Sequence, residues 1–186
     1  MKKIIVFNLV TVDGYFAGPN GEIDWHKVDD EFNDFAIKQL QEAGSLWFGR
    51  VTYELMANYW PSEQVLKTDP IVAGLMNSLP KVVFSKMLQH PDWQNTQLVK
   101  DIDVEEIKKI KTQPGKDIYI FGSGQLVQQF TAMGLVDEYR LMVNPVVLGE
   151  GKPLFKGKNN KQNLKFIRSR EFKNGNVLMV FEPLMR

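Results

Sequence analysis

The sequence predicts an α/β fold: a mixed, mostly parallel sheet of about eight strands with helices on both faces and an antiparallel hairpin at the C-terminal end. Three observations carry this. Apolar strand-like runs alternate with segments of helical periodicity over most of the chain. The earlier strand-like runs are short and unbroken, as in strands covered on both faces. The last two flank Asn174-Gly175, a pair suited to a type I′ hairpin turn, which needs positive φ at both central residues.

Taken in order, Lys3–Val10 is the first strand, and Glu31–Ala43 is a helix with Phe32, Phe35, Ala36, Leu40 and Ala43 on one face. Ser45–Phe48 is a short strand, followed by the helical segments Thr52–Tyr59 and Ile71–Leu79. Strands follow at Lys81–Ser85 and Thr96–Lys100. Asp103 precedes Glu106 at capping-box spacing, with Ile107 and Ile110 behind it, which predicts a helix. Asp117–Phe121 is a strand that turns through Gly122-Ser123-Gly124 into the helix Gln125–Met133. Glu138–Asn144, Leu164–Phe172 and Asn176–Glu182 complete the sheet. The longest predicted loops are Asp13–Asp24, Pro61–Pro70 and Gly149–Asn163, and long loops in a small domain often surround a site. There is no internal repeat or linker, so residues 1–186 are expected to form one domain.

Composition narrows the function. With 44% hydrophobic and 24% charged residues in 186, the chain is of ordinary globular make-up. A formal net charge of +1 gives no global attraction to nucleic acid or an anionic membrane, so any anion site must be local. The absence of cysteine excludes disulfides, zinc–thiolate sites, Fe–S clusters and a cysteine nucleophile, and fits a cytoplasmic protein. The opening MKKIIVFNLV is broken by Asn8, Thr11 and Asp13 too early for a signal peptide. His26 and His90 lie near no ligand-spaced carboxylates, so no metal site is expected and both read as surface residues.

Two strand–glycine–helix corners point to a phosphate-bearing ligand, because a helix N-terminus presents free N–H groups and the positive end of its dipole. One is Gly122-Ser123-Gly124 running into Gln125-Leu126. The other is Gly49-Arg50-Val51-Thr52, with a cation and a hydroxyl that either caps the helix or meets a phosphate oxygen. The first is no Rossmann fingerprint: Val127 stands where a third small residue is required, and the corner comes late in the chain. Ser85-Lys86 ends another strand, where open α/β sheets bind ligands. The segment Thr11–Trp25, with three glycines and aromatic members, is either a loop that closes over a flat ring or a plain turn-rich connection.

These motifs, in this order, resemble the dihydrofolate reductase-like family. They most resemble the reductase domain of bifunctional riboflavin-biosynthesis deaminase–reductases (the RibD C-terminal type) and its stand-alone relatives. The resemblance rests on Val12-Asp13-Gly14, the loop ending at Trp25, Gly49-Arg50-x-Thr52-Tyr53-Glu54, Tyr59-Trp60-Pro61, Ser85-Lys86, the Gly-Ser-Gly turn, and Pro145-Val146-Val147-Leu148-Gly149-Glu150-Gly151. It implies a three-layer dihydrofolate reductase-like fold and a cytoplasmic NADPH-dependent reductase acting on a small heterocyclic or carbonyl/imine substrate. Gly49, Arg50 and Thr52 would hold phosphates. Ser85 and Lys86 would meet the adenosine end, with Arg50 and Lys86 selecting the 2′-phosphate. Gly122, Ser123, Gly124, Gln125 and Leu126 would cradle the pyrophosphate, and Phe16 and Ala17 would approach the nicotinamide. Asp13, then Asp30, are the candidate proton donors, and Trp25 and Trp60 the candidate ring-stacking residues. Alternatives are the 5-amino-6-(5-phosphoribosylamino)uracil reductase of riboflavin biosynthesis, a dihydrofolate reductase, and a cofactor-binding module without turnover. A homodimer is expected, through Glu138–Leu148 and the final hairpin.

Overall fold

In the computed structural model, which describes residues 1–156 and 161–184, the chain runs β1 (Ile4–Thr11), β2 (Tyr15–Ala17), α1 (Asp30–Glu42), β3 (Ala43–Gly49) and α2 (Arg50–Tyr59). It continues with α3 (Glu63–Thr68), α4 (Pro70–Ser78), β4 (Lys81–Phe84), β5 (Thr96–Val99), α5 (Val104–Thr112), β6 (Asp117–Phe121) and α6 (Gly124–Ala132). The last elements are β7 (Glu138–Asn144), β8 (Lys152–Pro153), β9 (Leu164–Glu171) and β10 (Val177–Pro183). The main sheet is 8-stranded, in the order β5-β4-β3-β6-β1-β7-β10-β9. From β5 through β7 every pairing is parallel, and β10 lies antiparallel to both β7 and β9. This is the α/β architecture expected from the sequence, with a dihydrofolate reductase-like sheet.

Side-chain alternation along the strands sorts the core onto two faces. Ile4, Val6, Val10, Ile118 and Ile120 pack with Leu126, Val127 and Phe130 of α6 and Ile107 of α5. On the opposite face, Ile5, Leu46, Phe48 and Tyr119 meet Leu40 of α1, Tyr53 of α2 and Met76 of α4. The central strands are therefore covered on both sides, which is why they read as unbroken apolar runs.

Three features differ from the sequence reading. Tyr15–Ala17 and Lys152–Pro153 pair as a separate two-stranded ribbon inside two of the predicted loops. Part of the predicted loop Gly149–Asn163 lies outside the described residues. The predicted loop Pro61–Pro70 contains α3, capped by Ser62, whose hydroxyl accepts from Val65 N–H. At the C-terminal hairpin only Gly175 has positive φ (90°). Gly175 N–H bonds to Phe172 O and Phe172 N–H to Asn176 O, so the turn is wider than type I′. The side chain of Asn174 accepts from Asn176 N–H, which holds that turn without a left-handed asparagine. Among the described residues no helix is long and apolar enough to cross a membrane.

Lys81, at the head of β4, is fully buried. Its ammonium donates to the carbonyls of Met76 (2.9 Å), Asn77 (3.0 Å) and Leu79 (2.7 Å), closing the C-terminus of α4, and lies 4.5 Å from the Trp93 ring centroid. Burial pulls its pKa down to about 8, while the carbonyls and the negative end of the helix favour the charged form. Lys81→Met removes the ammonium from the Met76 and Leu79 carbonyls, while Asn77 O keeps the amides of Gln94 and Asn95. It is expected to lower unfolding free energy by about 2–4 kcal/mol in urea titrations.

Candidate active site

The two helices that open onto the carboxyl edge of the central strands are built differently from the rest. The other helices each have a side chain on their first-turn N–H groups: Asp29 for α1, Ser62 for α3, Asp69 for α4 and Asp103 for α5. Neither α2, preceded by Gly49, nor α6, preceded by Ser123, has a side-chain cap. They lie on opposite faces of adjacent strands, β3 and β6, and their N-termini meet at one cavity of about 1630 Å³. Free N–H groups from two helix dipoles, converging from both faces, make this end of the cavity electrostatically suited to an anion.

The corners are tied to each other. Ser123 N–H donates to Thr52 Oγ1 (2.9 Å), and Gly49 N–H donates to Ser123 Oγ (2.8 Å), which donates in turn to Phe121 O (3.2 Å). The Thr52 hydroxyl therefore braces the other corner and does not cap its own helix. Gly122 (φ 57°) and Ser123 (φ 59°, ψ 55°) are consecutive left-handed residues. That conformation costs a serine of order 1 kcal/mol or more and persists here because the bonds around it hold it. Gly124 serves contact: a Cβ there would lie 2.6 Å from Cε1 of Phe16.

All the residues expected to bind cofactor line this one cavity: Phe16, Ala17, Gly49, Arg50, Thr52, Ser85, Lys86 and Gly122 through Leu126. The cations are held in pairs. Arg50 meets Glu54 at 2.7 Å and Lys86 meets Asp101 at 2.6 Å. Ser85 Oγ accepts from Met87 and Leu88 N–H, which fixes the turn that carries Lys86. Lys100, at the end of the neighbouring strand β5, also lines the cavity, and the sequence reading missed it.

The other expected residues fare differently. Asp13 does not line the cavity. It accepts from the Thr11 hydroxyl (2.6 Å), Gly149 N–H (2.8 Å) and Leu148 N–H (3.3 Å), and so pins the loop before β8. Those bonds, the Thr11 one foremost, hold its carboxyl below the usual range, the reverse of what a proton donor needs. Asp30 is exposed in the first turn of α1, where acids complement the helix dipole, and is also outside the cavity wall. Trp60 lines the cavity, with its indole N–H on Met56 Sδ (3.1 Å). Trp25 does not, and packs edge-on against His26 with centroids 4.4 Å apart.

His26 corrects the surface reading: it lines the cavity, and its Nε2 is buried without a partner. Burial pulls its pKa down to about 4. Lys27 holds the loop in place, its N–H on Asn144 Oδ1 (3.0 Å) and its carbonyl accepting from Asn176 Nδ2 (2.9 Å). The linkage follows from the direction of the shift. Between pH 6.5 and 4 the unfolded chain binds a proton here that the folded chain refuses, so stability falls as pH falls through that window. Up to about 3 kcal/mol is expected to be lost this way, and His26→Phe should flatten that part of the stability–pH curve.

Asn8 was also missed as a site residue. Strands β1 and β6 pair only as far as Phe7↔Phe121, whereas β1 and β7 continue to Thr11↔Asn144. The cavity enters that split. Asn8 lies in it, 3% exposed, with Oδ1 unpartnered. One signal was available: a single asparagine inside the apolar run IIVFNLV.

A family model described as the RibD C-terminal domain matches residues 2–178. The chain is 38% identical to the uncharacterized protein YyaP of Bacillus subtilis (strain 168), over 97% of this chain and 94% of that one. In fold it is similar to a candidate riboflavin biosynthesis protein from Shewanella sp. PV-4, at TM-score 0.74 and 24% identity, covering 98% and 99% of the two chains. It is also similar to dihydrofolate reductase from Enterococcus faecalis, solved with NADP(H), at TM-score 0.64 and 13% identity, covering 97% and 96%. On the strength of the family match and the Bacillus relative, the chain belongs to the RibD C-terminal domain family.

Proposed function

We propose that the protein is an NADPH-dependent reductase of a small heterocyclic or carbonyl/imine substrate. The observation that carries this reading is the pair of uncapped helices, α2 and α6, meeting at one cavity on the carboxyl edge of the sheet. Strand order gives the cofactor its direction. Lys86 and Lys100 follow β4 and β5 and suit the 2′-phosphate end. The helix N-termini at β3 and β6 take the diphosphate, and the split between β6 and β1 takes the nicotinamide. There Asn8 and Phe16, which line that end of the cavity, would hold the ring, with Phe16 packed against Gly124. When bound, NADPH supplies a hydride to a C=N or C=O carbon, and one proton from water completes the reduction.

A folate reductase reading is weakened by α1. Its cavity-lining residues are Phe32, Asn33, Ala36, Gln39 and Leu40, with no carboxylate among them. The experiment is calorimetric titration with NADPH and NADH. Saturable NADPH binding is expected, about tenfold weaker in Arg50→Ala, and Lys100→Ala should narrow the preference for NADPH over NADH. No binding at millimolar NADPH sinks the reading. The expected homodimer has a candidate seam in β9, an edge strand exposed along its whole length, and light scattering checks it.

A further inference from the structure

The chain contains two Asn-Gly pairs, Asn20-Gly21 and Asn174-Gly175. Such pairs share a chemical liability. With no β-carbon on the following residue, its backbone nitrogen can reach the asparagine carboxamide and close a five-membered imide. As sequence the two pairs are equivalent, and the fold makes them different. At Asn20 the side-chain amide and the backbone N–H both donate to the carboxylate of Glu22, at 2.7 and 2.9 Å. That negative charge opposes the anion that forms as the ring closes. At Asn174 the side chain is folded forward over the next peptide. Its Oδ1 accepts from Asn176 N–H at 3.0 Å, which polarises the carboxamide and turns it towards the Gly175 nitrogen. The bond from Gly175 N–H to Phe172 O, at 2.9 Å, opposes the attack.

The same amide holds a wall of the cavity. Asn174 Nδ2 donates to Lys27 O at 3.3 Å, beside Asn176 Nδ2 at 2.9 Å. Lys27 stands between His26 and Val28, two cavity-lining residues in a segment without helix or strand. We propose that Asn174-Gly175 is a site of spontaneous deamidation, and that the modification releases the wall formed by His26 and Val28. The Gly175 nitrogen gives its proton to a base in the solvent and bonds to Cγ of Asn174. The Cγ–Nδ2 bond breaks, and ammonia leaves with a proton from water. Water then opens the imide at either carbonyl, giving aspartate or isoaspartate, with no change of oxidation state. Both products lack the Nδ2 donor and leave a carboxylate in the turn beside Lys27 O. Isoaspartate also adds a methylene to the backbone of the turn, which shifts Asn176, the other donor to Lys27 O. The Lys27 ammonium, 3.5 Å from Asn174 O, is exposed, and an exposed pairing with the new acid is too weak to replace the bonds to the loop backbone. The inference holds whatever ligand the cavity takes.

The test uses the full chain carrying Asn20→Gln, so that a single Asn-Gly pair remains. It is aged in mildly alkaline buffer beside the free peptide of residues 172–177. Peptide mass mapping and an isoaspartate assay follow the conversion. Hydrogen exchange in neutral buffer then compares the amides of residues 23–28 in aged and fresh protein. Conversion at Asn174 is expected within about tenfold of the peptide's rate, since the bond from Gly175 to Phe172 is the one that must break. Exchange at residues 23–28 should rise at least about threefold in the converted protein, while the amides of β1 and β6 exchange as before. Asn174→Asp, which carries the aspartate side chain from the start, should show part of this rise in fresh protein. Asn174→Gln, whose longer side chain must close a six-membered ring, should neither convert nor change its loop exchange over the same ageing. Conversion more than about tenfold slower than the peptide's overturns the inference. So does converted protein whose loop exchanges like fresh protein, or the same drift on ageing in Asn174→Gln.

Discussion

Gly122→Ala is expected to cost the protein its dinucleotide, with affinity for NADPH falling about a hundredfold, while the fold survives. Two effects combine. At φ 57° an alanine pays of order 1 kcal/mol in backbone strain. Its Cβ would also stand 3.0 Å from Cγ2 and 3.2 Å from Oγ1 of Thr52, the side chain that accepts from Ser123 N–H. Relieving that contact moves Thr52, and with it the bond that fixes the start of α6 against the start of α2. Misplacing one phosphate seat relative to the other forfeits charge-assisted bonds that only a fixed geometry can deliver together. Gly134→Ala is the control. Gly134 has φ 67°, nothing lies within 4 Å of its added Cβ, and it is not part of the cavity wall. Both variants should lose a similar few degrees of melting temperature, and only Gly122→Ala should lose NADPH in calorimetry. If both bind NADPH as the parent does, the turn is not a phosphate seat.

The sheet was legible because its central strands obey one rule. Covered on both faces, they are predominantly apolar, and β6 and β7 were placed to the residue. The two corners that line the cavity were legible for a related reason: glycine at a strand end, followed by helical spacing, is a local signal. What the sequence hid depends on contacts between distant segments. Asp13 looked like an acid poised in a flexible loop, but its partners Leu148 and Gly149 lie far along the chain and make it a brace. His26 looked like a lone surface histidine. Its burial comes from Lys27, which is held by Asn144 and Asn176 at the far ends of β7 and the final hairpin. The ribbon of β2 and β8 is too short to show periodicity, and it forms because two loops meet.

Arg140 shows the same limit and sets the other large effect. Glu138-Tyr139-Arg140 places two opposite charges on one side of β7, a pattern common on solvated strand faces. Yet the side chains of Glu138 and Arg140 are only 8% and 11% exposed. Arg140 Nε donates to Glu138 Oε1, and its Nη1 donates to Tyr119 OH (3.0 Å) and Gln39 Oε1 (3.3 Å). Burial pushes the Tyr119 phenol up to about 12, so it stays protonated beside the guanidinium. Arg140→Leu removes the cation and leaves Glu138 with only Lys3 at 3.6 Å, a half-exposed partner shared with Glu182. The expected cost is about 3–5 kcal/mol of unfolding free energy, most of it the uncompensated buried carboxylate. The double variant Arg140→Leu/Glu138→Leu should recover a large part of that loss, because no charge is then stranded. Urea titrations of the parent, both single variants and the double variant close the cycle. The network also reaches the cavity. Gln39 lines its wall and is 3% exposed, and Arg140 donates to its side-chain oxygen. Equal destabilisation by the single and double variants would mean that Glu138 is not stranded by the loss of Arg140.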